Sequence, residues 1–227
     1  MINLEYGIIR SNRKTLTICI NKDGSIKIRS PLNLSDLEIE KFVNSKEKWI
    51  TEHIDKVSKD YKVRKDFKLN FGDTVKLKGE DVPIIPIKGK YVSFKDNKFY
   101  VFKKCDSEQI KQSIIQLYKR IAKFHIGGRI NYFIEKTGLI PSNFRITKAK
   151  TRWGSCSGKN SINFSWRLMM ASDDLIDYVI VHELCHIKEH NHSEKFWKEV
   201  ENIIPNYKES KIKLRELEKR LNKEEWD

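Results

Sequence analysis

Apolar and polar positions alternate over Thr15-Leu16-Thr17-Ile18-Cys19-Ile20 and again over Ile26-Lys27-Ile28-Arg29, with Lys22-Asp23-Gly24-Ser25 between them. A period of two on either side of a glycine-bearing turn predicts a β-hairpin, which Pro31 closes. The period then lengthens. Ser35, followed three residues later by Glu38, has the form of a capping box and predicts a helix start. A second helix is predicted after Ser45, with Trp49, Ile50, Ile54, Val57 and Tyr61 on one side. Short strands are predicted again from Phe67 to Phe102, broken by Gly72, Gly79, Pro83, Pro86, Gly89 and the Lys95-Asp96-Asn97 turn. Ser107 opens a long helical stretch in which Ile110, Ile114, Leu117, Ile121 and Phe124 recur at three or four residues. Gly127-Gly128 is a candidate break, and Gly138 with Pro141 is the stop.

After Pro141, Phe144 to Lys150 reads as a strand, and Ser161 to Leu168 alternates with its large apolar residues on one face and polar residues on the other. Ser172 is placed to cap a helix that begins Asp173-Asp174, two acids where the helix dipole favours negative charge. Near the end, Leu214, Leu217 and Leu221 form one stripe of a stretch from Lys208 to Trp226 that reads as a solvated amphipathic helix with no binding role. The expected fold is α+β, with a small strand-rich N-terminal module over 1–106 and a C-terminal domain over 107–227.

Composition narrows the class. A chain of 227 residues with 39% hydrophobic and 11% aromatic side chains can bury a core, and its 33% charged fraction does not make it disordered. No wholly apolar stretch exceeds the four residues Tyr178 to Val181, so no membrane span is expected. Met1 to Lys14 lacks an apolar run of signal-peptide length, and a cytoplasmic location is expected. Cys19, Cys105, Cys156 and Cys185 are scattered, which predicts reduced thiols, and packing is the expected role of Cys156 and Cys185.

The net charge of +14 is spread over the chain. One segment stands out: Lys136 to Ser172 contains no Asp or Glu, while Lys136, Arg145, Lys148, Lys150, Arg152, Lys159 and Arg167 supply seven positive charges. Such a segment attracts anions, and a nucleic-acid association through this basic surface is one partner expectation.

The chemistry concentrates in the histidines. Of six, His182, His186, His190 and His192 fall within eleven residues, and His182-Glu183-Leu184-Cys185-His186 has the H-E-x-x-H form. Two imidazoles four residues apart on a helix can meet one zinc ion, and Glu183 on the adjoining flank is placed to act as a general base without being a ligand. Catalytic zinc takes a third protein ligand. His192 fits a chain that leaves the helix and turns back, with Glu194 and His190 as the other candidates. Asn191 can adopt the left-handed conformation of such a turn, and Ser193 can cap a new helix through Phe196, Trp197 and Val200. Arg152, with Lys150 and Arg167, is a candidate for holding an anionic group of the substrate.

Thr151-Arg152-Trp153-Gly154-Ser155-Cys156, Ile162-Asn163-Phe164-Ser165-Trp166-Arg167-Leu168, the His-Glu-Leu-Cys-His helix and Asn191-His192-Ser193 with Phe196-Trp197 resemble, in order and spacing, the YgjP-like metal-dependent hydrolases, a family similar to the SprT-type and WLM zinc metallopeptidases. The N-terminal hairpin, Pro31 and the helix with Trp49 extend the resemblance over nearly the whole chain. It implies a zincin-like C-terminal domain with His182, His186 and His192 as zinc ligands and Glu183 as base. The chain departs from the related metzincins in carrying Glu189 where they have glycine, so its turn is made differently.

The expected function is that of a zinc-dependent hydrolase of metallopeptidase type, in which Glu183 deprotonates a metal-activated water that attacks a peptide bond. The strand from Ile162 to Leu168 would offer a backbone edge to an extended peptide. The alternatives are hydrolysis of a nucleoside triphosphate at a phosphoanhydride bond, for which the acid-free segment is suited, and a nucleic-acid-associated protein with a structural zinc. The substrate expected is accordingly a peptide or a nucleotide.

Overall fold

The computed structural model describes residues 5–21, 23–89 and 91–226. Two compact units emerge, one formed by 5–67 with 221–225 and the other by 68–220 with Trp226.

In the first unit, strands β2 (Thr17–Ile20) and β3 (Ile26–Pro31) form the expected antiparallel hairpin, with Thr17 opposite Arg29 and Ile20 opposite Ile26. Lys22 of the predicted turn lies outside the described residues. Gly24 takes φ 86°, which a side chain rarely adopts. Strand β1 (Tyr6–Ser11) pairs in parallel with β3 from Tyr6 opposite Ile26, so β3 is the central strand. Helix α1 (Asp36–Ser45) starts at the capping box of Ser35 and Glu38, in which the backbone N–H of Ser35 donates to Glu38 at 2.9 Å. Ile39 and Val43 of α1, Ile50 of α2 (Glu47–Lys65) and Ile26 and Ile28 of β3 make the core of this unit. Trp49 and Tyr61 do not share that burial. The Trp49 ring lies outside against His53, one turn along, at 4.1 Å, and Tyr61 lies three turns past Ile50, beyond the reach of the core.

The second unit begins with a sheet of order β4-β5-β7-β6, made of Thr74–Leu77, Glu80–Ile87, Lys98–Phe102 and Ser93–Lys95. Its strands are those expected between Phe67 and Phe102. Helix α3 (Ser107–Thr137) starts one residue after Asp106, which forms its own capping box with Gln109, and ends at Gly138 with φ 71°. It runs unbroken through Gly127-Gly128. A Cβ at Gly127 would come within 3.1 Å of Phe144 Cζ, so the glycine serves a close approach to the strand Asn143–Thr147 (β8) and breaks nothing. Phe124, read as part of the apolar stripe, is 88% exposed.

Strands β9 (Gly154–Cys156) and β10 (Ser161–Ser165) complete a third sheet of order β8-β10-β9. β10 is central: Ile162 lies opposite Phe144 on one side and Cys156 on the other. It therefore has no edge to offer a peptide, contrary to the sequence expectation, and the open edges belong to β8 and β9. It is also shorter than expected. Ser165 accepts from Arg167 N–H at 3.3 Å and caps a 3-10 helix over Trp166–Met170, where all five residues, Arg167 included, are buried. Helices α4 (Asp173–Cys185), α5 (Glu194–Ile203) and α6 (Tyr207–Leu221) follow.

Tyr118 of α3 stacks on Trp166 at 5.5 Å and meets Trp226 edge-on, and its hydroxyl donates to the Lys76 carbonyl. Lys78 N–H donates to the Met169 carbonyl at 2.7 Å. These bonds tie β4 to α3 and the 3-10 helix. The strands that the sequence groups with 1–106 thus pack in one unit with the residues after 107. The described residues form a mixed α and β structure of three small sheets and six helices, consistent with the expected α+β class. No helix among them is long and apolar enough to cross a membrane.

Candidate metal centre

α4 is buried along most of its length, with Ile176, Ile180, Val181 and Leu184 in the core. Burial of that face leaves His182 and Glu183 on the side toward α6 and β9. The Ser172 hydroxyl bonds the Asp174 carboxylate, so this N-cap works through position and not through the side-chain bond expected of it. α4 ends at Cys185, and His186 is its C-cap with φ −65° and ψ −16°. The chain then turns without a left-handed residue, since Asn191 is not among those with positive φ. Its side chain instead accepts from Ser193 N–H at 3.1 Å, an Asx turn that does the work expected of the left-handed conformation. Ser193 caps α5 by accepting from Phe196 N–H at 3.4 Å, which fixes His192 just before a rigid element.

This folding brings His182, His186 and His192 together, with one ring nitrogen of each within 4.8 Å of the others. Neither His190 nor Glu194 joins the group. Two nitrogens each about 2.0–2.1 Å from a tetrahedral ion lie about 3.3 Å apart. His182 Nε2 and His192 Nε2 are 3.1 Å apart. His186 Nδ1 is 3.0 Å from the Glu189 carbonyl oxygen, to which it must be the donor, so its Nε2 lone pair is free for an ion. Phe196 stacks on His186 at 4.5 Å and Trp197 on His192 at 5.5 Å, restricting both rings. Burial, then His186 and His192, pushes His182 down to about 3, and burial with His186 and Lys211 lowers His192. Neutral imidazoles are the form that ligates metal. The donor set fits a divalent ion that accepts three nitrogens.

Beside the trio lies a cavity of about 270 Å³, to which α4 contributes Tyr178, His182 and Glu183. Glu183 is 5% exposed, and burial pushes its carboxyl up to about 8, with Arg152 pulling the other way. Gly154 of β9 makes this placement possible. A Cβ there would lie 2.6 Å from Glu183 Oε1 and 2.7 Å from its Cγ, so no side chain fits between strand and carboxylate. Gly154→Ala is expected to displace Glu183 and to lower any turnover that depends on this carboxyl by about 100-fold, the scale of a 1 Å misplacement, with metal content unchanged by metal analysis.

The raised carboxyl also has a sign in stability. Between its ordinary 4.5 and about 8 the folded chain keeps a proton that the unfolded chain loses, so stability falls as pH rises. His182 acts oppositely from about 3 up to its ordinary 6.5, which leaves pH 6.5 to 8 to Glu183. Across that window the metal-free protein is expected to lose about 2 kcal/mol in urea denaturation, a loss absent from Glu183→Gln.

Arg152 lines the cavity, as does Trp153. Lys150 is exposed and Arg167 is buried with its guanidinium 5.0 Å from the Trp166 ring, and neither lines the cavity. Cys185 is buried, with its thiol pushed up to about 12 by burial, a placement consistent with the packing role expected of it. The largest surprise is α6. Lys211, Leu214, Arg215 and Glu218 form a wall of the cavity, in a helix read as solvated and without a role. Its charged stripe carried no signal because three charges at helical spacing look like an exposed face.

Three converging imidazoles, two from the H-E-x-x-H segment and one from the turn before α5, lie beside a buried carboxyl, an arrangement that metal-dependent hydrolases of metallopeptidase type share. A family model described as YgjP-like, metallopeptidase domain, matches residues 14–217, and the chain belongs to this family. No curated protein and no solved structure matches the chain.

Proposed function

We propose that the chain is a zinc-dependent peptidase with a zincin-like catalytic site in the unit formed by 68–220, with His182, His186 and His192 as ligands and Glu183 as general base. The observation that carries this reading is the meeting of three ring nitrogens beside a buried carboxyl. Three neutral nitrogens leave one position of a tetrahedral ion open, which is the catalytic arrangement, while structural zinc is more often closed by cysteine. When bound, such an ion supplies Lewis acidity that acidifies water and polarises a carbonyl.

The residues of the chain do the rest. Glu183 accepts the proton of the attacking water at a carboxylate oxygen, and its burial raises its basicity to suit neutral pH. It then passes that proton to the leaving amine. Gly154 fixes the depth of the carboxylate relative to β9, and the open edge of β9 is the one that can pair with an extended peptide, replacing β10 in that role. The Trp153 and Leu214 side chains narrow the cavity and limit water.

Of the seven cations in the acid-free segment, Arg152 reaches the cavity, which keeps a phosphoanhydride substrate as the second reading. One experiment separates the two. The zinc-loaded full-length protein is incubated with an unfolded protein and with nucleoside triphosphates. Cleavage of the protein substrate and not of triphosphates is expected. Turnover of triphosphates alone would retire the peptidase reading, and full activity after removal of metal would retire both.

A further inference from the structure

Lys211, Leu214, Arg215 and Glu218 occupy positions i, i+3, i+4 and i+7 of α6, the stripe by which a surface helix ordinarily buries apolar side chains. Here that stripe faces the cavity, and three of its four members are charged. Arg152 reaches the same space from the approach to β9. Elsewhere in this unit basic side chains find carboxylates: Lys76 with Asp81, Lys78 with Asp173, Arg129 with Asp177. Among the described residues none of Arg152, Lys211 and Arg215 is so paired. Lys211 is instead held with its Nζ 4.6 Å from the Trp197 ring, which aims it without neutralising it. Besides Glu183, Glu218 is the one carboxylate on the lining, so the rim carries an excess of positive charge beside the base.

We propose that α6 and Arg152 form a carboxylate-recognition subsite, in which Arg215, Arg152 and Lys211 hold a carboxylate of the peptide close to the scissile bond. The inference rests on the peptidase reading and deepens it. At about 270 Å³ the cavity lies just below the range of about 300–1,000 Å³ that takes drug-sized ligands, so it holds a short end of substrate and not a long chain. Arginine forks match a carboxylate bidentately. The carboxylate can be the free C-terminus or an Asp or Glu side chain, and the experiment distinguishes them.

Zinc-loaded, full-length Glu183→Gln protein is titrated calorimetrically with an N-acylated peptide ending in a free carboxylate, with its C-terminal amide, and with an amide whose last residue is glutamate. The free acid is expected to bind about tenfold or more tighter than the plain amide. If the glutamyl amide binds like the plain amide, the subsite reads a chain terminus; if it binds like the free acid, the subsite reads a side chain. Adding Arg152→Ala or Arg215→Ala should reduce the preference toward unity with zinc content unchanged, and Arg215→Lys should restore part of it. Equal binding of all three peptides overturns the proposal, as does a preference that survives in the double Arg152→Ala, Arg215→Ala variant. Tighter binding of inorganic pyrophosphate than of any peptide assigns the cations to phosphate and overturns it too. If wild-type enzyme cuts acid and amide equally well, this inference alone fails. If it binds and cuts neither, the peptidase reading has failed with it.

Discussion

Glutamine in place of Glu183 is expected to lower kcat for peptide hydrolysis by about 10²–10⁴-fold, the usual contribution of a positioned general base, while zinc content stays near one per chain. The amide has the shape of the carboxyl that it replaces, so the contact against Gly154 is kept and the cavity is unchanged. On the proposed mechanism, what disappears is the group that takes the proton. Because burial already disfavours the charged carboxylate, the variant should also be the more stable protein above pH 6.5, an instance of a site that trades stability for reactivity. Metal analysis, a thermal melt and initial rates on one preparation check all three. Undiminished turnover would remove Glu183 from the base role.

The second large effect is expected at His192. His192→Ala should reduce zinc affinity well beyond the about 10–100-fold that follows loss of a hydrogen bond behind a ligand, and activity should fall with it. Of the three imidazoles His192 is the exposed one, so its removal leaves no buried cavity and the metal-free protein should melt as wild type does. His182→Ala offers no such clean control, since His182 packs among Tyr178, His186, His192 and Phe196. Zinc raises the Tm of any fold that it binds, by mass action. The measurement is therefore the zinc-induced rise in Tm, present in wild type and lost in His192→Ala. An equal rise in both would show that the third ligand is another group.

Local chemistry was legible in the sequence and side-to-side packing was not. The capping box of Ser35, the hairpin, the α3 stop at Gly138 and the convergence of His182, His186 and His192 depend on residues at most twelve apart, where spacing determines geometry. β1 went unread because its partner in the sheet is β3, fifteen or more residues on and parallel, a pairing with no turn to announce it. β10 looked like an edge because alternation reports two faces of a strand and says nothing of its neighbours in the sheet. Gly127 looked like a break because a glycine that admits a neighbouring ring and one that ends a helix are the same letter. The wall formed by α6 was the costliest miss, since Lys211 and Arg215 meet the site across a gap of about 30 residues in the chain.

α4 stops at Cys185, so two of the three imidazoles straddle the end of a helix and the third returns from six residues further along. A ligand shared by them would act as a crosslink across that end. Closing so short a loop costs little chain entropy, and the cost grows only slowly with length. With His182 and His186 engaged, His192 is tethered and no longer recruited from solution, at an effective concentration on the order of millimolar. As the most exposed arm it would also be the first to let go, and tethering would let it return before the other two released a shared ion.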